Sequence, residues 1–467
     1  MGVDRFVIER GVLTEYEGAG GDVIIPEGVK KIDEDAFSGC KSLKSVSIPE
    51  GVKKIGFGAF YGCGSLKTIS IPESVAEIGE AAFIDCSGLK SFSVAAGNAR
   101  YSVTSDGRCL LEEGTLHSYF PHVDGGGESC EIPASVTAIG GYAFRDCSSL
   151  KSVTISEGVK KIGFGAFYGC RSLKTISIPE GVSEIGERAF DGCKSLKSVT
   201  IPESVTEIGM RAFDGCSSLK SVAIPGSVTE IGFGAFRSCL SLRSVTIPEG
   251  VREIGEEAFF GCSSLRSVTI PEGVAEIGMR AFDRCMSLKS VTIPESVKKI
   301  GKSAFEFCRS LESVTIPEGV TEISGDAFYG CSSLARVVVL GEALPKGFAI
   351  GPDTALVSPR LSINAAAKGK RISKASIAAG RVIYALENPG HELDDATRRY
   401  IRAQLPGVCK ALRYDAAAIL WMADNGLVSG AAAAKAATAC TEKGLTEAAA
   451  ALLDASAASK KKSKLEL

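Results

Sequence analysis

The stretch at positions 158–180, GVKKIGFGAFYGCRSLKTISIPE, returns almost letter for letter at 51–73, where Gly64 in place of Arg171 is the one change. Looser copies run from 22 to about 340. A 23-residue unit cannot enclose a core of its own, so the chain must bury its apolar side chains by stacking one copy on the next. In the copy around 196–216, Leu196, Val199 and Ile201 alternate with polar residues, as a strand with one buried face does. Pro202 then ends the strand, because it has no N–H to give to a ladder. Val205 and Ile208 supply a second inward segment, Gly209 is expected to turn the chain, and Ala212, Phe213 and Cys216 close the unit.

That makes eight inward positions per copy. Each larger side chain contributes about 1.5–3 kcal/mol on burial, and ordering costs about 1–2 kcal/mol per residue, so a lone copy with both flanks open does not fold. Twelve Ala-Phe closures, from Phe37 to Phe328, meet the need for many copies. With strands about 4.8 Å apart, the expected architecture is an α/β solenoid: a curved, elongated array with a parallel sheet on one face, followed by an α-helical C-terminal domain.

The unit resembles the BspA-like class of leucine-rich repeats on three marks: an LxxLxLP opening, a V..IG middle and an AFxxC close. The resemblance covers residues 1 to about 340 and implies a right-handed solenoid. Members of that class include bacterial and protist surface proteins that attach to host or neighbouring-cell proteins.

Residues 1–21 read as a capping hairpin and 22–340 as the repeat array. The frame breaks once, between Cys86 and Cys147, where 38 extra residues enter. This text resembles the long variant repeat of the same class, with Asn98, Tyr101, Asp106 and Gly107 in a hairpin expected to project at about 87–131. Residues 341–362 carry the Gly, Pro and Ser punctuation of a linker. Residues 363–458 are Ala-rich and helical, with Asp394 or Asp395, Asp415, Ser429 and Thr446 as helix starts, and are expected to cover the open end of the array. The stretch GLTEAAAALLDA resembles an ankyrin-type helical hairpin, and the whole resembles the helical tail of some bacterial members. The basic tail 459–467 is expected to be disordered.

Of the 16 cysteines, twelve fall on the repeat frame: Cys40, Cys63 and Cys86, then Cys147 to Cys331 at 23-residue steps. Such a ladder points thiols inward in parallel, poor geometry for disulfides, so they read as small buried hydrophobes. With 23% charged residues and a formal net charge of −2, no bulk charge points to nucleic acid. No run approaches the length needed for membrane insertion, and no secretory signal stands at the N-terminus. The expected location is cytoplasmic, with the cell surface as the alternative.

Four residues of the inserted text, Cys109, His117, His122 and Cys130, are zinc-ligand types, although their spacing matches no standard finger; the other reading is a hairpin that happens to contain them. No phosphate loop, nucleophile elbow or HExxH motif occurs, and the acidic residues recur in equivalent environments, so the reading is non-enzymatic with no cofactor. Two surfaces remain. Following the strand Leu, ten of twelve copies carry a basic residue, from Lys44 to Lys289, beside rows of Ser and Thr. This is either a face for an acidic protein or glycan, or a solvated column offset by neighbouring glutamates. Variation concentrates in the pair before Ala-Phe and the residue after it. There Phe57, Tyr61, Phe164, Tyr168, Met210, Phe233, Phe260, Met279 and Tyr329 are the candidate partner-binding residues. Phe in that pair always brings Gly, at 57, 164 and 233. Either these aromatics form an exposed patch or they fold over bare backbone as local packing. The function that follows is a protein-interaction scaffold, with a surface-displayed adhesin or glycan-binding protein as the alternative.

Overall fold

The computed structural model describes residues 5–123, 127–351, 353–358 and 372–465, with side chains to 457. The chain divides into two compact units, Met1–Gly250 and Val251–Leu467.

In the first unit every turn contributes two short strands to two parallel ladders. Ser152–Thr154, Thr175–Ser177, Ser198–Thr200 and Ser221–Ala223 pair in sequence, in a register that advances 23 residues per step, Ser152↔Thr175 and Ser198↔Ser221. The second ladder runs through Lys161–Ile162, Glu184–Ile185, Glu207–Ile208 and Glu230–Ile231. Between the ladders the core positions anticipated from the repeat are buried, Leu196, Val205, Ile208, Ala212, Phe213 and Cys216 without any exposed surface. The closing phenylalanines stack face to face from turn to turn, Phe167 on Phe190 and Phe190 on Phe213 at 5.2 Å. Within the stack the ladder thiol donates to the carbonyl of the Phe one turn back, as Cys193 does to Phe167 at 3.2 Å and Cys216 to Phe190 at 3.3 Å; Cys40 and Cys147, at the start of each array, make no such bond among the described residues. A cysteine here is therefore more than a small hydrophobe: it adds a weak donor that an alanine lacks.

The turning positions differ from those expected. Two columns have left-handed backbone: the second residue of the variable pair, as at Gly165 (φ 54°), Arg188 (55°) and Arg211 (53°), and the residue before the Cys, as at Gly169 (71°) and Gly192 (74°). Gly209 belongs to neither. A Cβ there would sit 2.8 Å from the Glu187 amide nitrogen, so this glycine lets one coil approach the next and does not supply a turn.

The inserted segment does not project. Its strands Tyr101–Val103, Cys109–Glu112 and Thr115–Tyr119 form an antiparallel meander, and the last of them pairs in parallel with Ala138–Ile139 of the next turn. The N-terminal hairpin is built alike: Phe6–Glu9 and Val12–Tyr16 pair antiparallel, and Val12–Tyr16 pairs in parallel with Lys31–Ile32. In both, a left-handed pair makes the turn, Arg10-Gly11 and Glu113-Gly114. In both, a tyrosine starts the aromatic stack, Tyr16 on Phe37 at 5.0 Å and Tyr119 on Phe144 at 4.9 Å. The sequence signal is Gly-x-Leu-x-x-Tyr at 11–16 and again at 114–119. The insertion is a second starting cap, buried through Leu110 and Leu116 because the array restarts on it.

In the second unit the strands Ser267–Thr269, Ser290–Thr292, Ser313–Ile316 and Arg336–Val339 continue the same pattern. Residues 341–362, read as a linker, contain a further strand, Ala355–Val357, which pairs with Arg336–Val339 and is buried on both sides. It holds as a strand because helix α1 (Lys374–Glu387) covers it, so closely that a Cβ on Gly380 would lie 1.8 Å from the Leu356 carbonyl oxygen. Residues 359–371, the rest of that linker and the first part of the helical segment, lie outside the described residues.

Four more helices follow: α2 (Asp395–Ala411), α3 (Ala416–Asp424), α4 (Gly430–Glu442) and α5 (Thr446–Leu465). Asp394 caps α2 by accepting from the Thr397 amide, and Asp415 caps α3 from Ala418. Helix α2 runs past Leu405 through Pro406, with a kink at Gln404. Helix α5 carries helical backbone into the stretch expected as a basic tail. Arg413 fixes the helices to the last turns by donating to the carbonyls of Leu334 and Asp353.

The close approach at Gly209 makes a direct comparison. Gly209→Ala should lower the melting temperature in step with about 1–3 kcal/mol of overpacking. Gly226→Ala, where nothing lies within 4 Å, should leave it unchanged or slightly raised; thermal melts of the two variants side by side check the ranking.

Candidate functional site

The break between the two arrays of the first unit is where the repeating backbone contacts fail. In an ordinary turn the N–H groups of the variable pair, the Phe and the residue before Cys all donate across to the next turn, as Gly165, Phe167 and Gly169 do to Glu187, Ala189 and Asp191. Ala81, Phe83 and Asp85 occupy the same three positions and make no such bond among the described residues. Their natural partner turn is already engaged, because the Tyr119 amide donates to the Ala143 carbonyl at 2.8 Å.

Side chains from the insertion replace part of the missing ladder. The Tyr101 hydroxyl accepts from the Ile78 amide at 2.8 Å, and His117 Nε2 contacts the Ile78 carbonyl at 3.0 Å. Asn98 donates to the carbonyls of Pro72 and Val75 while accepting from the amides of Arg100 and Tyr101. Asp106 accepts from Thr104 and Arg108, and the left-handed Gly107 (φ 73°) follows it. The stitching stops short of Ala81, Phe83 and Asp85. These three line a cavity of about 110 Å³ together with Tyr119, Phe120, His122, Arg145 and Asp146.

At this joint an arginine is ringed by three tyrosines. Arg145 lies 5.1 Å from the Tyr142 ring centroid, 5.3 Å from Tyr168 and 6.0 Å from Tyr61. A guanidinium over aromatic faces is held by about 0.5–1 kcal/mol per contact at such exposed sites. Asp146 pairs with Arg145 at 3.2 Å. Burial pushes the Tyr61 phenol up, and Asp85 adds to the rise. Both aspartates sit in left-handed backbone, φ 60° and 55°, where the surrounding turns have Gly39, Gly62, Gly169 and Gly192. Aspartate tolerates that conformation better than most residues.

The candidate aromatic residues divide by exposure. Phe57 (44%), Phe164 (36%), Met210 (43%), Met279 (38%) and Tyr329 (58%) are exposed; Tyr61, Tyr168, Phe233 and Phe260 are half-buried. The joint brings Tyr61 and Tyr168 onto Arg145, and Phe164 packs edge-on against Tyr142 at 5.1 Å. The coupling of Phe with Gly has a packing cause. A Cβ on Gly165 would meet the Tyr142 ring at 2.8 Å, and one on Gly234 would meet the Arg211 chain at 3.4 Å. The bare backbone lets the preceding turn's side chain lie across and reach the Phe ring, Arg211 coming 5.2 Å from Phe233. A different arrangement occurs in the second unit, where Arg280 of the following turn lies 4.6 Å from Phe260, the residue after an Ala-Phe closure. The column is thus both partly exposed and locally packed.

All ten basic residues of the strand column, Lys44 to Lys289, are exposed. Lys151 pairs with Glu128 at 2.5 Å; the other nine have no ion-pair partner among the described residues. Neighbouring glutamates therefore do not offset the column by direct pairing.

The four zinc-ligand types are not gathered. His117 is buried and spent on Ile78 and Ser118, His122 lines the joint cavity, and Cys109 and Cys130 meet each other elsewhere. Among the described residues no group of three or more His, Cys, Asp or Glu could hold a metal. Among them also, no helix is long and apolar enough to cross a membrane.

Stacked 23-residue turns with paired parallel ladders define a leucine-rich repeat solenoid. The family model for the BspA type leucine rich repeat region matches residues 19–120, 117–243 and 229–343, and the chain belongs to that family. A leucine rich cell surface protein from Faecalibacterium prausnitzii is 30% identical, over 73% of this chain and 95% of that one, with a TM-score of 0.45. A leucine-rich repeat protein from Bacteroides ovatus is 29% identical, over 72% of this chain and 92% of that one, with a TM-score of 0.50. No curated protein matches.

His117 gives the joint a pH dependence. Burial holds its imidazole below the ordinary 6.5, against the opposing effect of the Ile78 hydrogen bond. The unfolded chain therefore binds a proton that the folded one resists, so the contribution is complete above about 6.5 and shrinks as pH falls below it. Melting curves from pH 7 to pH 5 should show a decline that His117→Gln makes shallower.

Proposed function

We propose that the chain is a non-enzymatic protein-interaction scaffold whose partner engages the variable column, anchored at the joint around Arg145. The observation that carries this reading is the meeting of Tyr61, Tyr142, Tyr168 and Arg145 beside a cavity with backbone N–H groups left without their usual partners. Tyrosine and arginine are the residue types that most often dominate binding energy, and open N–H donors beside them suit an extended peptide backbone. Phe57, Phe164, Met210 and Phe233, first in the variable pair, extend the surface of the first unit; in the second, Met279 holds that position, and Phe260 and Tyr329 hold that of Tyr61 and Tyr168. The cytosol is the location assigned to this reading.

A second reading, a surface-displayed adhesin or glycan-binding protein, is favoured by two observations. The similar protein of Faecalibacterium prausnitzii is called a cell surface protein, and the exposed basic column, of which only Lys151 is ion-paired among the described residues, borders hydroxyl rows such as Ser198 and Thr200. Surface biotinylation of intact source cells separates the readings: labelling supports display, and recovery only in the unlabelled soluble fraction supports the scaffold.

Affinity capture tests the site. Arg145→Ala, and separately the combination Phe57→Ser, Phe164→Ser and Phe233→Ser, should reduce recovery of the partner about tenfold or more while the melting temperature stays within a few degrees. Undiminished capture by the folded variants would remove this surface from the account.

A further inference from the structure

Cys109 and Cys130 stand outside the repeat frame and outside the pattern that occupies the ladder thiols. Nine ladder thiols, among them Cys63, Cys170 and Cys331, donate to a carbonyl one turn away, the Cys63 bond to Phe37 being 3.1 Å and the Cys331 bond to Phe305 also 3.1 Å. Cys109 and Cys130 make no such bond among the described residues; they line one surface cleft together. Cys109 opens the strand Cys109–Glu112 of the restarting cap, and Cys130 lies in Ser129–Glu131, the first strand of the sheet that resumes after it. These strands belong to different sheets, so a link between the two sulfurs would join the cap to the array it starts.

The two strands are already held in place without a covalent bond. Arg108 Nη1 and the Tyr119 hydroxyl both donate to the Ser129 carbonyl, each at 3.4 Å. Access exists too: both cysteines line a surface cleft of about 310 Å³ with Thr104, Asp106, Arg108 and Glu131. The neighbouring Cys130 thiol holds the Cys109 thiol below its ordinary value, against desolvation, with Thr104 and Arg108 helping. Its partner Cys109, with burial, pushes Cys130 up. By contrast burial raises the ladder thiols, Cys63 to about 12. The cleft thus sets this pair apart from the inert ladder.

We propose that Cys109 and Cys130 are a reversible dithiol–disulfide site, which locks the internal cap to the resumed array. The co-reactant is a low-molecular-weight disulfide, RSSR. One of the two thiols, as its thiolate, attacks one sulfur of RSSR, the S–S bond breaks, and RS⁻ leaves, giving a mixed disulfide. The other, losing its proton to solvent, attacks the protein sulfur of that mixed disulfide and expels the second RS⁻. The two cysteines have then given two electrons to RSSR, which departs as two thiols.

The test uses the full chain, fully reduced and then exposed to oxidised glutathione under native conditions. Thiol titration in denaturant should fall from sixteen to fourteen, and non-reducing peptide mapping should give one cross-link, Cys109 to Cys130, which dithiothreitol removes. The oxidised protein should melt higher than the reduced one. Cys109→Ser and Cys130→Ser should each abolish the cross-link and the rise in melting temperature. Sixteen thiols after treatment, or a cross-link within the ladder, would overturn the proposal; both are read on the unmodified sequence and do not depend on any variant folding.

Discussion

Everything in this protein depends on the hydrogen bonds that pass from one turn to the next. A 23-residue coil has too few internal partners for its own N–H and C=O groups, and an unpaired buried backbone group costs about as much as a lost hydrogen bond. The register of Ser152 on Thr175 and of Ser198 on Ser221 satisfies those groups and at the same time sets phenylalanine on phenylalanine and cysteine over phenylalanine carbonyl. Gly209 shows how tight this fit is: the coils approach until a single methyl group would meet the backbone of the turn before.

The same dependence explains why the break at the insertion is a special place. A stack can end only where something else satisfies its last turn, and can begin only on a surface that presents a matching edge. The insertion does both. Tyr101, His117 and Asn98 terminate one array with side-chain atoms, and Tyr119 opens the next by taking the Ala143 carbonyl. The replacement is incomplete at Ala81, Phe83 and Asp85, and the incompleteness falls beside the densest aromatic cluster of the first unit.

Much of the fold was legible because a repeat states each core position many times over. Leu196, Val199, Ile201, Phe213 and Cys216 could be assigned to the interior from periodicity alone, and they are there. The failures came where one residue type serves two physical ends. Gly209 and Gly165 look alike in sequence, yet the first relieves a close approach and the second has left-handed backbone that receives the ring of Tyr142. The insertion was misread as a projection because its likeness to the N-terminal hairpin rests on six letters, Gly-x-Leu-x-x-Tyr, outside the repeat. The strand Ala355–Val357 was missed because its burial comes from α1, far along the chain. Of the candidate residues, exposure separated Phe57 and Phe164 from Phe233, and the ring around Arg145 could not be foreseen, since Tyr61 and Arg145 are brought together only by the way the insertion is absorbed.

The central claim is that the ladder stands open at the joint, and native-state hydrogen exchange of individual amides measures it directly. The amides of Phe83 and Asp85 should exchange faster than those of Phe60, Gly62, Phe144 and Asp146, their counterparts in neighbouring turns, and should slow when a partner binds. Equal protection across all six in the free protein would contradict the account.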